Sequence, residues 1–339
     1  MSESRTPLGP GPENIHREYS TGLPDEPGSR VTRRGILLFG LMSVIWGIPY
    51  LFIRVAVAEV SPAVLVFGRT GVAALILVPI ALTRTDFRAV LARWRWVVAF
   101  AVIEMGVPWV LLGSAEQQIT SSLAGLLVAG VPLVATVLAV ATGGRDRVGA
   151  SGVIGLLVGL VGVAAIVGVN LGSSNLLALV AMIPVVVGYA VGPAILARRL
   201  GGLSTVAVMA FAVSLCALAY APVAVIERPV ALPSAAAWGA VVVLGLVCTA
   251  AAFLLFWALI DEIGPVRSTV VTYFNPAVAA LLGVVVLNES FTVVMGIGFA
   301  LVILGSVLAT RPADAGSSQF LARLRNRPKP EGYPLRPEK

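Results

Sequence analysis

Two side chains in this sequence stand where charge is costly. Arg69 and Glu104 each lie deep in a long apolar run. At the centre of a membrane helix each costs roughly 3 kcal/mol or more, so each needs a partner or water. Arg69 is eight residues past Ser61, about 12 Å from one end of its helix. Glu104 is eight residues past Trp96, about 12 Å from the other side of the same layer. In a layer about 30 Å thick their depths differ by only about 6 Å, which an extended arginine spans. Two expectations follow. Either Arg69 and Glu104 pair, holding helices together, or Glu104 takes a proton or a substrate amine.

Other chemistry is missing. The one histidine, His16, is in the N-terminal tail, and no span contains HExxH, GxSxG or a close carboxylate pair. Zinc, serine-nucleophile and acid–base catalysis therefore lack their residues, and the chain is not expected to be an enzyme. There is no Walker-type phosphate loop, which removes ATP-driven pumping by this chain alone. Cys216 and Cys248 lie inside apolar runs and behave as small hydrophobes. No cofactor or metal is expected. Glu289, with Asn288 and Ser290, precedes the last apolar run and is expected to cap that run's helix and complement its dipole.

The elements that hold these residues follow from composition. Of 339 residues, 58% are hydrophobic and 12% charged, against about 25% charged in soluble domains. Apolar runs near the bilayer-spanning length of about 20 residues alternate with short polar breaks. Ten spans result, at 35–56, 61–83, 96–114, 119–141, 149–169, 175–197, 204–226, 235–259, 264–287 and 290–310. They must be helices, because backbone groups facing lipid pair only within their own segment. The fold class is all-α, a polytopic membrane protein. The formal charge of +7 forms no stripe for nucleic acid. It marks one side of the bilayer instead. Arg30, Arg33, Arg34, Arg84, Arg88, Arg93, Arg95, Arg145, Arg147, Arg198, Arg199, Arg267 and the basic C-terminal tail share that side. The other side keeps Arg228, with Arg54 near a helix end. Both termini are therefore expected in the cytoplasm, with the chain in the cell membrane, plasma or inner. Residues 1–34 are expected to form a disordered cytoplasmic tail. Residues 311–339, with seven Lys or Arg against Asp314, Glu331 and Glu338, are expected to form a second cytoplasmic tail, solvated or lying on anionic headgroups. A sensor or scaffold would need a sizeable soluble domain, which neither tail is long enough to make.

The halves repeat. Val131-Pro132 and Asn275-Pro276 place prolines 144 residues apart, and Gly155 and Gly162 precede Gly298 and Gly305 by 143. Residues 35–169 and 170–310 are expected to be two copies of a five-helix unit, which an odd helix number sets in opposite directions. Gly155, Gly159 and Gly162 suit ordinary helix packing. Pro132 and Pro276 each free a carbonyl one turn earlier, so they mark a hinge or a cavity wall.

Ala251-Ala252-Phe253 to Trp257-Ala258-Leu259, then Gly264, Asn275-Pro276-Ala277-Val278-Ala279 and Asn288-Glu289, resemble the second half of an EamA-type permease of the drug/metabolite transporter superfamily. Trp46-Gly47 and Arg69 resemble it in the first half. The resemblance covers both five-helix units. It implies a ten-helix inverted-repeat fold and alternating access. It also implies a cavity lined by the first, third, fourth, sixth, eighth and ninth helices. The implied activity is secondary transport, exporting amino acids, related metabolites or toxic compounds. A lipid or lipid-linked sugar translocator of the same architecture is the alternative. The implied partners are a small-molecule substrate, membrane lipids and protons as the candidate coupling ion, in a monomer or homodimer. Two departures stand out. The family usually has an uncharged residue at Glu104. Gly143-Gly144-Arg145-Asp146 stands where a counterpart of Glu289 would be. Within the implied cavity spans lie Trp46, Tyr50, Trp109, Tyr189, Phe256, Trp257 and Tyr273, with Asn275 beside Pro276. Their rings and hydroxyls suit a small, partly apolar solute. A lipid-facing aromatic belt is the alternative role, and it is the one expected for Trp94, Trp96 and Trp238 at span ends.

Overall fold

The computed structural model describes residues 32–84, 87–141, 150–170, 175–264 and 268–310. Residues 1–31 and 311–339, with Arg145, Asp146, Arg147 and Arg267, lie outside the described residues, whereas Thr32, Arg33 and Arg34, expected in the N-terminal tail, cap and begin the first helix. Among the described residues nine helices are long and apolar enough to cross a membrane: Arg33–Val57, Pro62–Thr83, Trp94–Glu116, Ser121–Ala141, Ser151–Val169, Leu176–Arg199, Thr205–Ile226, Ala235–Ile263 and Thr269–Leu287. A tenth apolar helix, Val293–Ala309, is shorter. We number these spans one to ten. The chain is a multi-pass membrane protein of ten helices in two inverted repeats of five.

Local sequence sets the boundaries. Thr32, Thr120, Asn175, Ser204, Ser234 and Thr292 each cap a span by accepting a backbone N–H in its first turn. The eighth span ends at Gly264 with φ 83°, and the ninth at Asn288 with φ 54°, both left-handed stops. Gly264 therefore closes the eighth span, and the ninth begins later than the sequence suggests. The third span likewise runs on to Glu116, past the expected end at 114.

Several spans are irregular, and the irregularities of the third and eighth, and of the fourth and ninth, come in matching places. The first breaks at residues 46–48, and Pro49 restarts it. The fourth breaks at residues 129–130, just before Val131-Pro132. The ninth opens with a 3-10 turn, Thr269–Tyr273, before Asn275-Pro276. The third and eighth each contain a π-helical stretch, Ala101–Gly106 and Leu246–Ala251, offset by 145 residues. Such bulges mark functional sites more often than chance.

The fifth and tenth spans pack on glycine. A Cβ on Gly155 would lie 2.7 Å from the Gly305 carbonyl, and one on Gly162 would lie 2.6 Å from the Gly298 carbonyl. Exchanging the repeats turns the first contact into the second, so the inversion relates this pair to itself. Loops repeat the relation. At one face Arg93 Nη1 donates to the Gly201 carbonyl at 2.9 Å. At the opposite face Ser234 N and Oγ donate to Glu59 at 2.6 Å each. We call the face holding Thr32 and Thr310 the terminal face and the other the distal face. On the terminal face Thr32 and Arg34 both reach Glu262.

Candidate functional site

Arg69 is buried, 7% exposed. Its Nε donates to Thr249 Oγ1 at 2.9 Å, and its guanidinium lies over the Trp109 ring at 3.6 Å. Thr249, in the π stretch of the eighth span, donates in turn to the Leu244 carbonyl at 2.8 Å. The bulge thus presents a hydroxyl whose proton is already committed, leaving its lone pairs for Arg69. A guanidinium stacked on indole and held at Nε keeps its outer edge, the two Nη groups, for another partner. Among the described residues no carboxylate forms an ion pair with it. Tyr50, Tyr189 and Cys248 lie within its field, and the Trp109 indole stands beside the Tyr189 hydroxyl. One cluster therefore joins the first, second, third, sixth and eighth spans.

Glu104 sits elsewhere. It lies in the π stretch of the third span and points at the sixth, where a Cβ on Gly192 would stand 1.9 Å from its Oε2. Only glycine leaves room there. Gly188 serves the same bulge, since a Cβ on it would meet the Ile103 carbonyl at 2.3 Å. Glu104 Oε2 is buried with no hydrogen-bond partner. The expected Arg69–Glu104 pair is not formed, because similar depth does not mean a shared interface. Arg69 faces the eighth span and Glu104 the sixth. The Glu104 field still reaches Tyr189.

The remaining expected residues divide. The Tyr50 ring lies against Gly125 of the fourth span, where an added Cβ would stand 3.7 Å from the ring and 2.6 Å from the Ala279 Cβ. Trp46, at the break in the first span, meets Phe256 at 4.7 Å and Phe253 at 6.4 Å between ring centroids. Asn275 keeps a buried, unpartnered Oδ1, and its carbonyl lies 3.0 Å from a Cβ placed on Gly47. The break at Gly47 thus meets the start of the α-helical part of the ninth span, where Pro276 is buried. Pro132 begins the second half of the fourth span, and its carbonyl accepts from Thr136 at 2.8 Å. Trp257 and Tyr273 do not join the Arg69 cluster. Trp257 is 38% exposed and donates to Asp261 at 3.1 Å. Tyr273 lies 3.4 Å from Thr310 Oγ1 at the terminal face. Trp94, Trp96 and Trp238 are exposed.

Two acidic residues carry more than the sequence suggests. Glu116 is fully buried, and neither carboxylate oxygen has a hydrogen-bond partner. Ser114-Ala115-Glu116-Gln117 looks like a span end, so only its nearness to an apolar run marked it. Glu289 caps a different helix from the one expected. Its Oε1 accepts from Ser121 N at 2.8 Å, and its Oε2 from Ser122 N at 2.8 Å and Ser122 Oγ at 2.6 Å. It therefore closes the N-terminus of the fourth span, while Thr292 caps its own neighbour, the tenth. The left-handed Asn288 turns Glu289 back toward the fourth span.

Comparison with known proteins supplies the family. Residues 33–168 and 173–311 match the model of the EamA-like transporter family, one match per repeat. No functionally curated protein matches the sequence. A solved structure titled only as the crystal structure of a protein shares 22% identity at a TM-score of 0.58. The match covers 86% of this chain and 99% of that one, and it shows a shared fold. With both halves matched and the helices arranged as inverted repeats, the chain belongs to the EamA-like transporter family, and it is a transporter of the drug/metabolite type.

Proposed function

We propose that this chain is a secondary carrier that exports small metabolites, such as amino acids or related toxic compounds, by alternating access across the cell membrane. Both termini lie in the cytoplasm in this proposal, in keeping with the arginine-rich loops on their side. The observation that carries the reading is the Arg69 cluster. A buried guanidinium held by Thr249 and Trp109, with its outer edge unspent, is a receptor for a polar group on a solute. Tyr50 and Tyr189 flank it with hydroxyls and rings. Glu104, one oxygen unpartnered, adds a site for a proton or an amine in the field of Tyr189.

The test has two steps. A panel of metabolites is screened by thermal shift on the purified chain, and hits are followed by flux into liposomes with an imposed pH gradient. A hit that Glu104→Gln still binds but no longer moves, at normal protein level, supports the reading. Unchanged flux in Glu104→Gln removes Glu104 from it. Flip-flop of labelled lipid with no metabolite flux overturns it in favour of a lipid translocator.

A further inference from the structure

We propose that the Glu116 carboxyl is a proton-binding site at the distal end of the transport pathway, exchanging one proton with water when that end opens. The inference rests on the transporter reading for what the proton does, but not for where it binds.

A buried carboxylate normally collects donors, because losing water without replacement is costly. Glu116 has collected none. It is fully buried with both oxygens unpartnered. The nearest cation, Arg54, attracts the carboxyl by its charge but makes no side-chain bond to it. Arg54 of the first span donates instead to the main-chain carbonyl of Glu116, and among the described residues no ion pair joins the two side chains. Ser121, at the start of the fourth span, adds a third buried and unpartnered oxygen, its Oγ.

The other charged group here decides which carboxyl holds the proton. Glu289 lies within the field of Glu116, and its two oxygens receive three donors from Ser121 and Ser122. Glu289 thus has the donors that a carboxylate needs, and Glu116 has none. A second negative charge beside it, in a dry place and without donors, is disfavoured. The proton therefore sits on Glu116. The remaining titratable groups facing it are Tyr50 of the first span and Tyr189 of the sixth, both neutral phenols. Arg69 of the second span bonds Thr249 through Nε and lies over Trp109, and among the described residues it forms no ion pair with Glu116. Glu59, in the first distal loop, is exposed and bonded to Ser234.

The same residues make the site sensitive to opening. Glu289 ties the turn after the ninth span to the fourth, and Arg54 ties the first span to the third. Parting these ties admits water to Glu116. Its O–H proton then passes to a water molecule, leaving the carboxylate hydrated, and a proton from water restores it on closure. No other bond changes.

The test needs no substrate. The full chain in lipid vesicles is titrated from about pH 5 to about pH 9 and followed by infrared spectroscopy of the carboxyl C=O stretch. The expected result is a protonated-carboxyl band at neutral pH that loses intensity in Glu116→Gln and keeps the Glu116 share in Glu104→Gln. An unchanged band in folded Glu116→Gln overturns the proposal. So does a sodium-dependent thermal shift that the same variant abolishes, which would make the site a metal-cation site. Should Glu116→Gln fail to fold, wild-type protein is treated with an apolar carbodiimide, which attacks protonated buried carboxyls, and mapped by mass spectrometry. Modification at Glu116 supports the proposal, and its absence overturns it. A Glu116 band without metabolite flux sinks the carrier reading alone, while flux without the band sinks the proton site alone.

Discussion

Replacing Glu289 by Gln distinguishes two placements of one carboxylate. In the structure its oxygens accept from Ser121 N and Ser122 N, each at 2.8 Å, and from Ser122 Oγ at 2.6 Å. Gln retains one oxygen and turns an N–H2 toward the second donor. One backbone N–H then loses its acceptor in a half-buried place, which costs about 1–3 kcal/mol. Loss of the negative charge at the helix N-terminus adds about 0.3–1 kcal/mol. A total near 3 kcal/mol corresponds to local opening on the order of 100-fold more frequent. Hydrogen–deuterium exchange reads this directly. The Ser121 and Ser122 amides should exchange about 100-fold faster in Glu289→Gln. The Leu123 amide, which donates to Thr120 Oγ1 at 3.2 Å, should be affected less. Met295 N, bonded to Thr292 Oγ1 at 3.2 Å, should not change. Faster exchange at residues 293–295 with intact protection at residues 121–122 would refute the cross-repeat cap and restore the sequence-based placement on the tenth helix.

Three further outcomes are expected. Gly162→Ala places a Cβ 2.6 Å from the Gly298 carbonyl and 2.8 Å from Val302 N, and should lower stability by about 1–3 kcal/mol. Gly40→Ala, with nothing within 4 Å, should gain about 0.5–1 kcal/mol, and equal denaturation midpoints in detergent would contradict the glycine contact. Thr249→Val removes the acceptor of Arg69 Nε and should cost about 1–3 kcal/mol, whereas Thr249→Ser should stay within about 0.5 kcal/mol; thermal unfolding that fails to separate the two would argue against the bond. Glu59 is exposed, and hydrogen bonds from the Ser234 side chain and backbone hold its carboxyl below the usual range. A depressed folded value stabilises above the unfolded pKa of about 4.3 and is lost as pH falls through the folded one. The stability gap between wild type and Glu59→Gln should therefore be flat near neutrality and close in acid, and a gap that widens in acid would reverse the sign.

Much of this was legible in the sequence, because the bilayer imposes length and polarity on every segment. The spans, their inverted repetition and the paired prolines all rest on spacing along one chain. The glycines at 155, 162, 298 and 305 were legible as packing residues, though not as partners of one another. Depth was legible too, but azimuth was not. Arg69 and Glu104 were placed at similar depth, yet π stretches in the third and eighth spans rotate the helix faces. No local sequence signal announces such a turn. Glu116 escaped for a related reason. A carboxylate at the end of an apolar run ordinarily meets water, and only the closure of neighbouring spans over it makes it buried.

The symmetry of the backbone and the asymmetry of the chemistry bear on how the two sides of the membrane would be treated. The two π stretches differ by 145 residues, so Glu104 and Thr249 occupy equivalent places in them. Arg69, on the second span, donates to Thr249. Its counterparts on the seventh span at offsets of 143, 144 and 145 are Ala212, Val213 and Ser214, none of them a cation, and Ala212 and Val213 are fully buried. An inverted-repeat carrier opens to the other side by exchanging the conformations of its halves. In a chain with matched side chains the two states would have equal energy. Here one half brings a guanidinium to a hydroxyl, and the other brings no cation to a carboxyl. Exchange therefore does not map the central contacts onto themselves, and in the proposed carrier the two open states would differ in energy and in affinity for charge. A scaffold made symmetric by its glycines and prolines is made unequal at its centre by a handful of polar side chains, which in the proposed carrier would set different apparent affinities on the two sides while the gradients set the direction of flux.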